Sequence, residues 1–180
     1  MAAITSGEIL SKYSVSAAAG NTTAGTAAGS LGDQISTTQI ADATLNALFD
    51  DISGAENAAS TVDYRCIFIH NSNAANALQN AVIWLSAETG GGANIAIGVD
   101  TTAASAIGSA SAQALTIANE NTAPAGVSFS SPTTFGTGLS LGTIGAGQCK
   151  AVWFRRTATN SAALNNDGVT WSVQGDTAAA

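Results

Sequence analysis

The sequence predicts an all-β fold: an antiparallel β-sandwich with an extended N-terminal arm and one short helix. First, six short runs rich in β-branched and aromatic residues follow one another from residue 62 onward. Second, segments rich in Gly, Asn and Pro separate these runs and supply the sharp turns that antiparallel strands need. Third, a chain of 180 residues fits one domain that buries a core without metal ions or disulfides. Short strands joined by such turns are typical of two packed sheets.

Residues 1–35 form the predicted arm. The stretch "AAAGNTTAGTAAGS" has too few large apolar side chains to offset the entropy lost on ordering, which predicts a flexible segment. The flanking stretch "EILSKYSVS" differs, because Ile9, Tyr13 and Val15 would let it add as a strand to a sheet edge or to a neighbouring molecule. We therefore assign these three residues, together with Arg156 of a later strand, as candidate interface residues.

Residues 36–61 are predicted to hold the short helix and a linker. The helix is predicted in "IADATLNALFDDIS", whose large apolar side chains recur at helical spacing along one face. These side chains are Leu45, Leu48, Phe49 and Ile52. Asp42 lies near the predicted start of the helix, and Ser53 and Gly54 lie at its predicted end.

Residues 62–180 form the predicted sandwich. Its predicted strands are "VDYRCIFIH", "LQNAVIWLS", "ANIAIGVD", "GVSFSS", "QCKAVWFRRT" and "GVTWSVQG". Successive side chains of a strand point to opposite faces, and in the first run both faces are mostly apolar. One face carries Tyr64, Cys66, Phe68 and His70, and the other carries Arg65, Ile67 and Ile69. This strand is therefore expected to be buried on both sides, while residues 101–125 are expected to form a long loop with one short strand.

The residue types that often perform chemistry favour structural roles in this sequence. His70 is the only histidine, and nothing near it completes a catalytic triad or dyad. Two cysteines and one histidine at distant positions lack the paired spacing of zinc sites. Asp50 and Asp51 are adjacent, so on a helix their side chains diverge by about 100°. We therefore expect no catalytic residue, no metal site and no cofactor, and we expect that the protein is not an enzyme.

The cysteines, the arginine pair and the tryptophans are also expected to serve the fold. Cys66 and Cys149 are predicted to be unbridged core thiols of a protein made in a reducing compartment. Arg155 and Arg156 point to opposite faces of one strand, so one is expected to pair with an acid and the other to face solvent or a partner. The three tryptophans lie inside alternating runs, which favours burial over exposure; they are Trp84, Trp153 and Trp171.

Charge and hydropathy exclude two classes of partner. The net charge of −7 argues against binding along nucleic acid, which requires a basic surface. No run approaches the ~18–20 apolar residues that cross a bilayer, and we expect no export signal at the start of the chain. Only 9% of the residues are charged, so small neutral polar groups are expected to cover the surface. Such a surface suits close packing against copies of the chain or against a partner.

Three segments of the sequence carry a resemblance to a known class of proteins. They are "YRCIFIHN", "LQNAVIW" and "GAGQCKAVWFRRT", of the patterns YRCI(Y/F)(V/I)(K/H)N, LxNxxxW and GxGxxxxxWxRRT. With the residues around them, from 45 to 176, they resemble small virion structural proteins of tailed bacteriophages. The resemblance implies an immunoglobulin-like sandwich, or alternatively a jelly-roll, with an extended arm. It brings no catalytic residues.

This resemblance and the neutral surface together predict a capsid decoration, or cement, protein. Its expected partners are the major capsid protein and copies of itself, and its expected location is the outer capsid surface after synthesis in the bacterial cytoplasm. A neck or tail component is the first alternative. The second is a carbohydrate- or receptor-binding module that uses tryptophans as stacking platforms for a host-surface glycan. The number of copies in each virion would separate a shell protein from a neck ring or a fibre.

Overall fold

A computed structural model describes residues 3–16 and 21–177 as two antiparallel sheets packed face to face, which confirms the predicted all-β sandwich. The strands, in chain order, are β1 (Ile9–Val15), β2 (Gln34–Gln39), β3 (Val62–Asn71), β4 (Leu78–Glu88), β5 (Asn94–Val99), β6 (Ser105–Ala106), β7 (Leu139–Ile144), β8 (Gln148–Thr157) and β9 (Val169–Thr177). One short helix, α1 (Gly54–Ala59), lies between β2 and β3. Single 3₁₀ turns, Ser6–Glu8 and Phe135–Thr137, precede β1 and β7.

The larger sheet has the strand order β2-β1-β3-β8-β5, and the short β6 also pairs with β8. The smaller sheet has the order β7-β4-β9. From β3 onward the chain alternates between the sheets, with the one exception that β6 follows β5 in the same sheet. Neither sheet is therefore built from one continuous stretch of sequence.

The central strands β3 and β8 are buried on both faces, as the alternation of β3 predicts. Ile67, Ile69 and Phe154 point into the inner core, which fills the space between the two sheets. Phe68 and Trp153 point the other way, into an outer core. Residues of the connecting segments cover this outer core, among them Leu31, Ala114, Leu115 and Ile117. The larger sheet is thus covered by the smaller sheet on one side and by loops on the other.

The prediction of a flexible arm is wrong for the part of residues 1–35 that the structure describes, while residues 1–2 and 17–20 lie outside it. Strand β1 pairs with β3 and with β2, so the alternative of a strand added to a sheet is confirmed within the chain itself. Main-chain bonds also hold the segment after residue 20, because the N–H of Asn21 donates to the Ile35 carbonyl at 2.6 Å. Local composition misleads here because distant strands provide the hydrogen-bond partners and the apolar surface.

The short helix does not lie in residues 40–53, where the apolar spacing predicts it. The helix begins at Gly54, and Ser53 is its N-cap: the Ser53 hydroxyl accepts from the Glu56 N–H at 3.3 Å. The Glu56 carboxylate in turn accepts from the Ser53 N–H at 2.7 Å. The preceding residues 40–53, which we call the strap, turn irregularly, with positive φ angles at Ala43 and Asn46. These angles are incompatible with a continuous helix.

Five of the six predicted strand runs are confirmed, as β3, β4, β5, β8 and β9. The sixth, "GVSFSS", forms only an isolated bridge between Ser130 and Ile97 of β5. Strand β6 is the short strand predicted within residues 101–125. Strand β7 is not among the predicted runs, because it overlaps a glycine-rich stretch that begins at residue 142 and is typical of a turn. There Gly142 has a φ of 73° and lies where β7 and β4 shift register.

Candidate functional site

The outer face of the smaller sheet is the candidate functional site, because the described chain leaves most of this strand surface uncovered. In β4 the inward side chains of Ala81, Ile83 and Leu85 are buried, whereas Val82 and Trp84 point outward and are half-buried. The register pairs Trp84 with Ser172, and Val82 with Gln174 and Ser140, which places those side chains on the same face. We call this surface the open face; it consists of Asn80, Val82, Trp84, Ser140, Thr170, Ser172, Gln174 and Asp176.

The open face is almost free of charge. Asp176 is its one ionisable residue, and its carboxylate accepts from the Asn80 side-chain amide at 3.0 Å. Hydroxyl, amide, aromatic and aliphatic groups make up the rest of the surface. Such a surface offers a partner shape, dispersion and neutral hydrogen bonds, which salt screens far less than it screens ion pairs between exposed charges.

Trp84 forms an aromatic pair with Phe135 on the open face. The ring centroids are 5.8 Å apart and the planes meet at 85°, the edge-to-face arrangement that aromatic rings favour. Phe135 remains 47% exposed. Gly138 allows this approach, since a Cβ atom there would lie 2.3 Å from Cγ1 of Val82. The 3₁₀ turn at Phe135–Thr137 therefore rests on β4 and presents two adjacent rings to the outside.

The other two tryptophans serve the cores. Trp153 is fully buried, as predicted, and its Nε1–H donates to the Asp100 carboxylate at 2.7 Å. Trp171 packs 5.0 Å from Phe154 between the sheets, and its Nε1–H donates to the Ser11 hydroxyl at 3.1 Å. Only Trp84 of the three stands on the open face, a distinction that the sequence pattern alone did not make.

The four candidate interface residues lie away from the open face. Ile9, Tyr13 and Val15 are half-buried on β1 inside the larger sheet. The Tyr13 hydroxyl donates to the Ala47 carbonyl of the strap. Arg156 is buried, with only 5% of its surface exposed. An interface through these residues stays a prediction.

Arg156 belongs to a cationic cluster that holds the strap against β3 and β8. Its guanidinium donates to the Asp63 carboxylate at 2.7 and 3.0 Å and to the Asp50 carboxylate at 3.1 Å. It also lies 4.8 Å from the ring centroid of Phe49, with Arg65 at 5.7 Å from the same ring. The predicted pairing of one arginine with an acid is thus confirmed. Ion pairing and cation–π contact give the cluster a structural role.

His70 is buried at the outer face of β3, and its only register partners are Leu10 and Cys149. Within the described chain, both of its ring nitrogens lack a hydrogen-bond partner. Burial and the nearby charge of Lys12 lower the pKa of His70 to about 4, so the ring is neutral at pH 7. A histidine with this pKa and without a carboxylate partner is not poised as a general base.

Both cysteines are buried and unbridged, which confirms the sequence prediction. Burial raises the pKa of Cys149 to about 12 and that of Cys66 well above its ordinary value. Gln113 contacts Cys149, with its Nε2 at 3.3 Å from Sγ. A neutral thiol is a poor nucleophile and a poor metal ligand. Among the residues that the structure describes, no group of three or more His, Cys, Asp and Glu side chains is arranged to hold a metal ion.

Compared with protein-family models, with curated proteins and with solved structures, the chain shows no match. Across residues 3–16 and 21–177, no helix has the length and hydropathy needed to span a membrane.

Proposed function

We propose that this chain is a structural virion protein of a tailed phage, a decoration protein that binds the outer surface of the capsid and stabilises it. The observation that carries the proposal is the open face, a broad and nearly uncharged strand surface with an aromatic pair. It faces away from both cores, and the titratable groups with strongly shifted pKa values lie elsewhere, inside the fold. A neutral outer surface, with the shifted titratable groups buried inside the fold, fits a protein that works by binding a partner. The resemblance of three sequence segments to virion proteins adds the identity of the partner, the major capsid protein.

The stabilising effect follows from mass action. A subunit that binds the closed shell but not the dissociated shell protein shifts the equilibrium towards the shell. Each contact can be modest, because many identical sites act together and a subunit that touches two shell proteins at once gains from multivalency. A neutral face also predicts binding that changes little between low and physiological salt.

The test adds purified protein to capsids that lack it, counts the bound copies and heats the particles. We expect saturable binding at many sites and a raised disruption temperature for the wild type. Trp84→Lys, which places a charge on the open face, should abolish both effects. Leu164→Lys is the matched control, because Leu164 is 42% exposed and lies in the loop between β8 and β9. Absence of binding, or equal loss in both variants, would contradict the proposal, and binding at one vertex alone would indicate a neck or tail component.

A second candidate function, binding of a host-surface carbohydrate, is favoured by the aromatic pair of Trp84 and Phe135. Sugar rings stack on exposed aromatic side chains, and the neighbouring Ser140, Ser172 and Gln174 offer neutral hydrogen-bonding groups. A glycan-binding screen separates this function from capsid binding. Retention of a neutral glycan by the wild type and its loss in Trp84→Ala and Phe135→Ala, without any binding to capsids, would favour the carbohydrate-binding module.

A further inference from the structure

The edges of the two sheets differ in how the chain protects them. Both edges of the larger sheet are covered by loops. At β2, the Thr37 N–H donates to the Thr23 carbonyl at 2.9 Å. At β5, Ile97 and Ser130 exchange two main-chain hydrogen bonds of 2.8 and 3.0 Å. An uncovered edge presents unpaired N–H and C=O groups to any extended chain that approaches, so these loops prevent edge-to-edge pairing.

In the smaller sheet, the edge strand β7 is short and irregular. It has six residues, Leu139–Ile144, and its register with β4 shifts twice. Gly142 lies at both shifts and has a φ of 73°. A bulged, short edge strand cannot offer a long regular row of hydrogen-bonding groups.

Strand β9 is the exception, a long and regular edge. It spans nine residues, Val169–Thr177. Where its register with β4 shifts, the extra residue lies in β4, between Gln79 and Val82 and between Leu85 and Ala87. Within the described chain, β9 forms a strand ladder only with β4, and the N-terminal segment touches only its C-terminal end, where the Ile4 N–H donates to the Thr177 hydroxyl at 3.1 Å. It contains no Pro, Lys or Arg, and its single charge is Asp176.

We propose that the free edge of β9 pairs antiparallel with β9 of a second copy of this chain across a two-fold axis. An antiparallel strand pair of this kind is isologous, because each strand offers the other the same row of donors and acceptors. With Ser172 on the axis, Thr170 lies opposite Gln174, and Trp171 lies opposite Val173 as an aromatic–β-branched pair. The two smaller sheets then form one continuous six-stranded sheet.

Charge and burial favour a second copy as the occupant of this edge. In the register centred on Ser172, Asp176 lies opposite Gly168, so the two carboxylates stay at opposite ends of the pair and do not repel each other. Trp171 and Val173 are only partly buried at the edge of the inner core, and pairing extends the cover over them. The identical strand of the second copy therefore covers Trp171 and Val173, and it places no charged residue directly opposite another charged residue.

The experiment measures the molecular mass of the full chain in solution, without capsids, as a function of concentration by sedimentation equilibrium. We expect a reversible dimer for the wild type. Ser172→Lys places two lysines opposite each other on the axis, which should raise the dissociation constant about tenfold or more. Ser140→Lys is the matched control, since it makes the same change on the same face but on the bulged edge strand β7, and it should dimerise like the wild type. Thermal melting of both variants verifies that they fold.

A cross-link tests the register. Ser172→Cys should form a disulfide-linked dimer under mild oxidation, because directly opposed residues of an antiparallel pair lie within disulfide range and the two native cysteines are buried. Ser140→Cys should remain monomeric on a denaturing gel. A wild type that stays monomeric at ~0.5 mM, an equal effect of both lysine variants, or open-ended aggregates would each overturn the proposal. None of these readouts involves a capsid, so the proposed decoration function stands or fails separately.

Discussion

His70 is a buried side chain whose ionisation opposes folding. The pKa of His70 is about 4 in the folded protein and near 6.5 in the unfolded chain, because burial and the nearby Lys12 disfavour the charged ring. The unfolded chain therefore binds more protons between these values, and the stability of the fold falls as the pH decreases from 6.5 to 4. Above pH 6.5 this contribution is fully present.

The first prediction concerns this acid sensitivity. His70→Leu should remove up to about 3 kcal/mol of the stability loss between pH 6.5 and 4. At pH 7 its stability should equal or exceed that of the wild type, because two buried nitrogens without partners are removed. Urea unfolding at a series of pH values measures both effects. An unchanged pH slope in the variant would contradict the assignment.

The second prediction concerns the thiols. Because Cys66 and Cys149 are buried and carry raised pKa values, a thiol reagent at pH 8 should modify neither in the folded protein and both after denaturation. If a thiol of the native protein reacted faster than the rate of global unfolding permits, the outer core would have to open locally.

The alternation of residues 63–71 made several of these residue-scale features predictable. A strand that is apolar on both faces must be buried on both sides, so Cys66 and His70 had to lie in a core. The residues that form polar contacts with these core side chains were not predictable. Asp100 directly precedes the loop at 101–125 and Gln113 lies within it, and this loop has no periodic pattern. Asp100 accepts from the Trp153 indole and from the Leu115 N–H, two contacts that only the folded chain brings together.

The strap is an element that the sequence pattern assigned wrongly. The helical spacing of its apolar residues suggested one buried face, but Leu48 is 7% exposed and Leu45 is 72% exposed. The Ser53-x-x-Glu56 capping box was the stronger local signal, and it marks the start of a helix rather than its end. Tertiary contacts explain the rest, since Arg156 and Tyr13 hold Asp50 and Ala47 in an irregular path.

The third prediction uses this contrast within the strap. Leu48→Ala should cost about 2–5 kcal/mol of unfolding free energy, because it leaves a cavity in the inner core. Leu45→Ala should change stability by less than about 0.5 kcal/mol, because the side chain is already in solvent. Chemical denaturation of both variants measures the difference. Equal costs would mean that the two leucines share a buried helical face after all.

At the scale of the whole molecule, the larger sheet separates two cores that lie back to back. The inner core was predictable from the sandwich pattern. The outer core was not, because the residues that cover it come from loops with small side chains and no strand or helix period, such as Ala114 and Ile117. The open face was not predictable either, because identifying it requires knowing which of the two sheets the loops cover. Trp153 and Phe154 are adjacent in β8, and each is fully buried in a different core.

The fourth prediction tests whether both cores stabilise one cooperative unit. Trp153→Ala and Phe154→Ala should each cost about 3–5 kcal/mol. In each variant, unfolding followed by tryptophan fluorescence and by circular dichroism should give a single coincident transition. Trp84→Ala on the open face is the control and should cost less than either. Separate transitions for the two probes would indicate that the loop layer over the outer core unfolds independently.

The alternation of strands between the sheets has a consequence for synthesis on the ribosome. Strand β3 is apolar on both faces, yet its central partner β8 follows roughly 80 to 95 residues later in the chain. At about 5–20 residues per second, β3 waits on the order of 5 to 20 seconds before that partner has been translated. During this interval the edge of β3 that later pairs with β8 stays without its strand partner, because β1 is the one strand translated earlier that pairs with β3 in the described chain. Slower translation of the segment between β3 and β8 should therefore lower the yield of soluble protein.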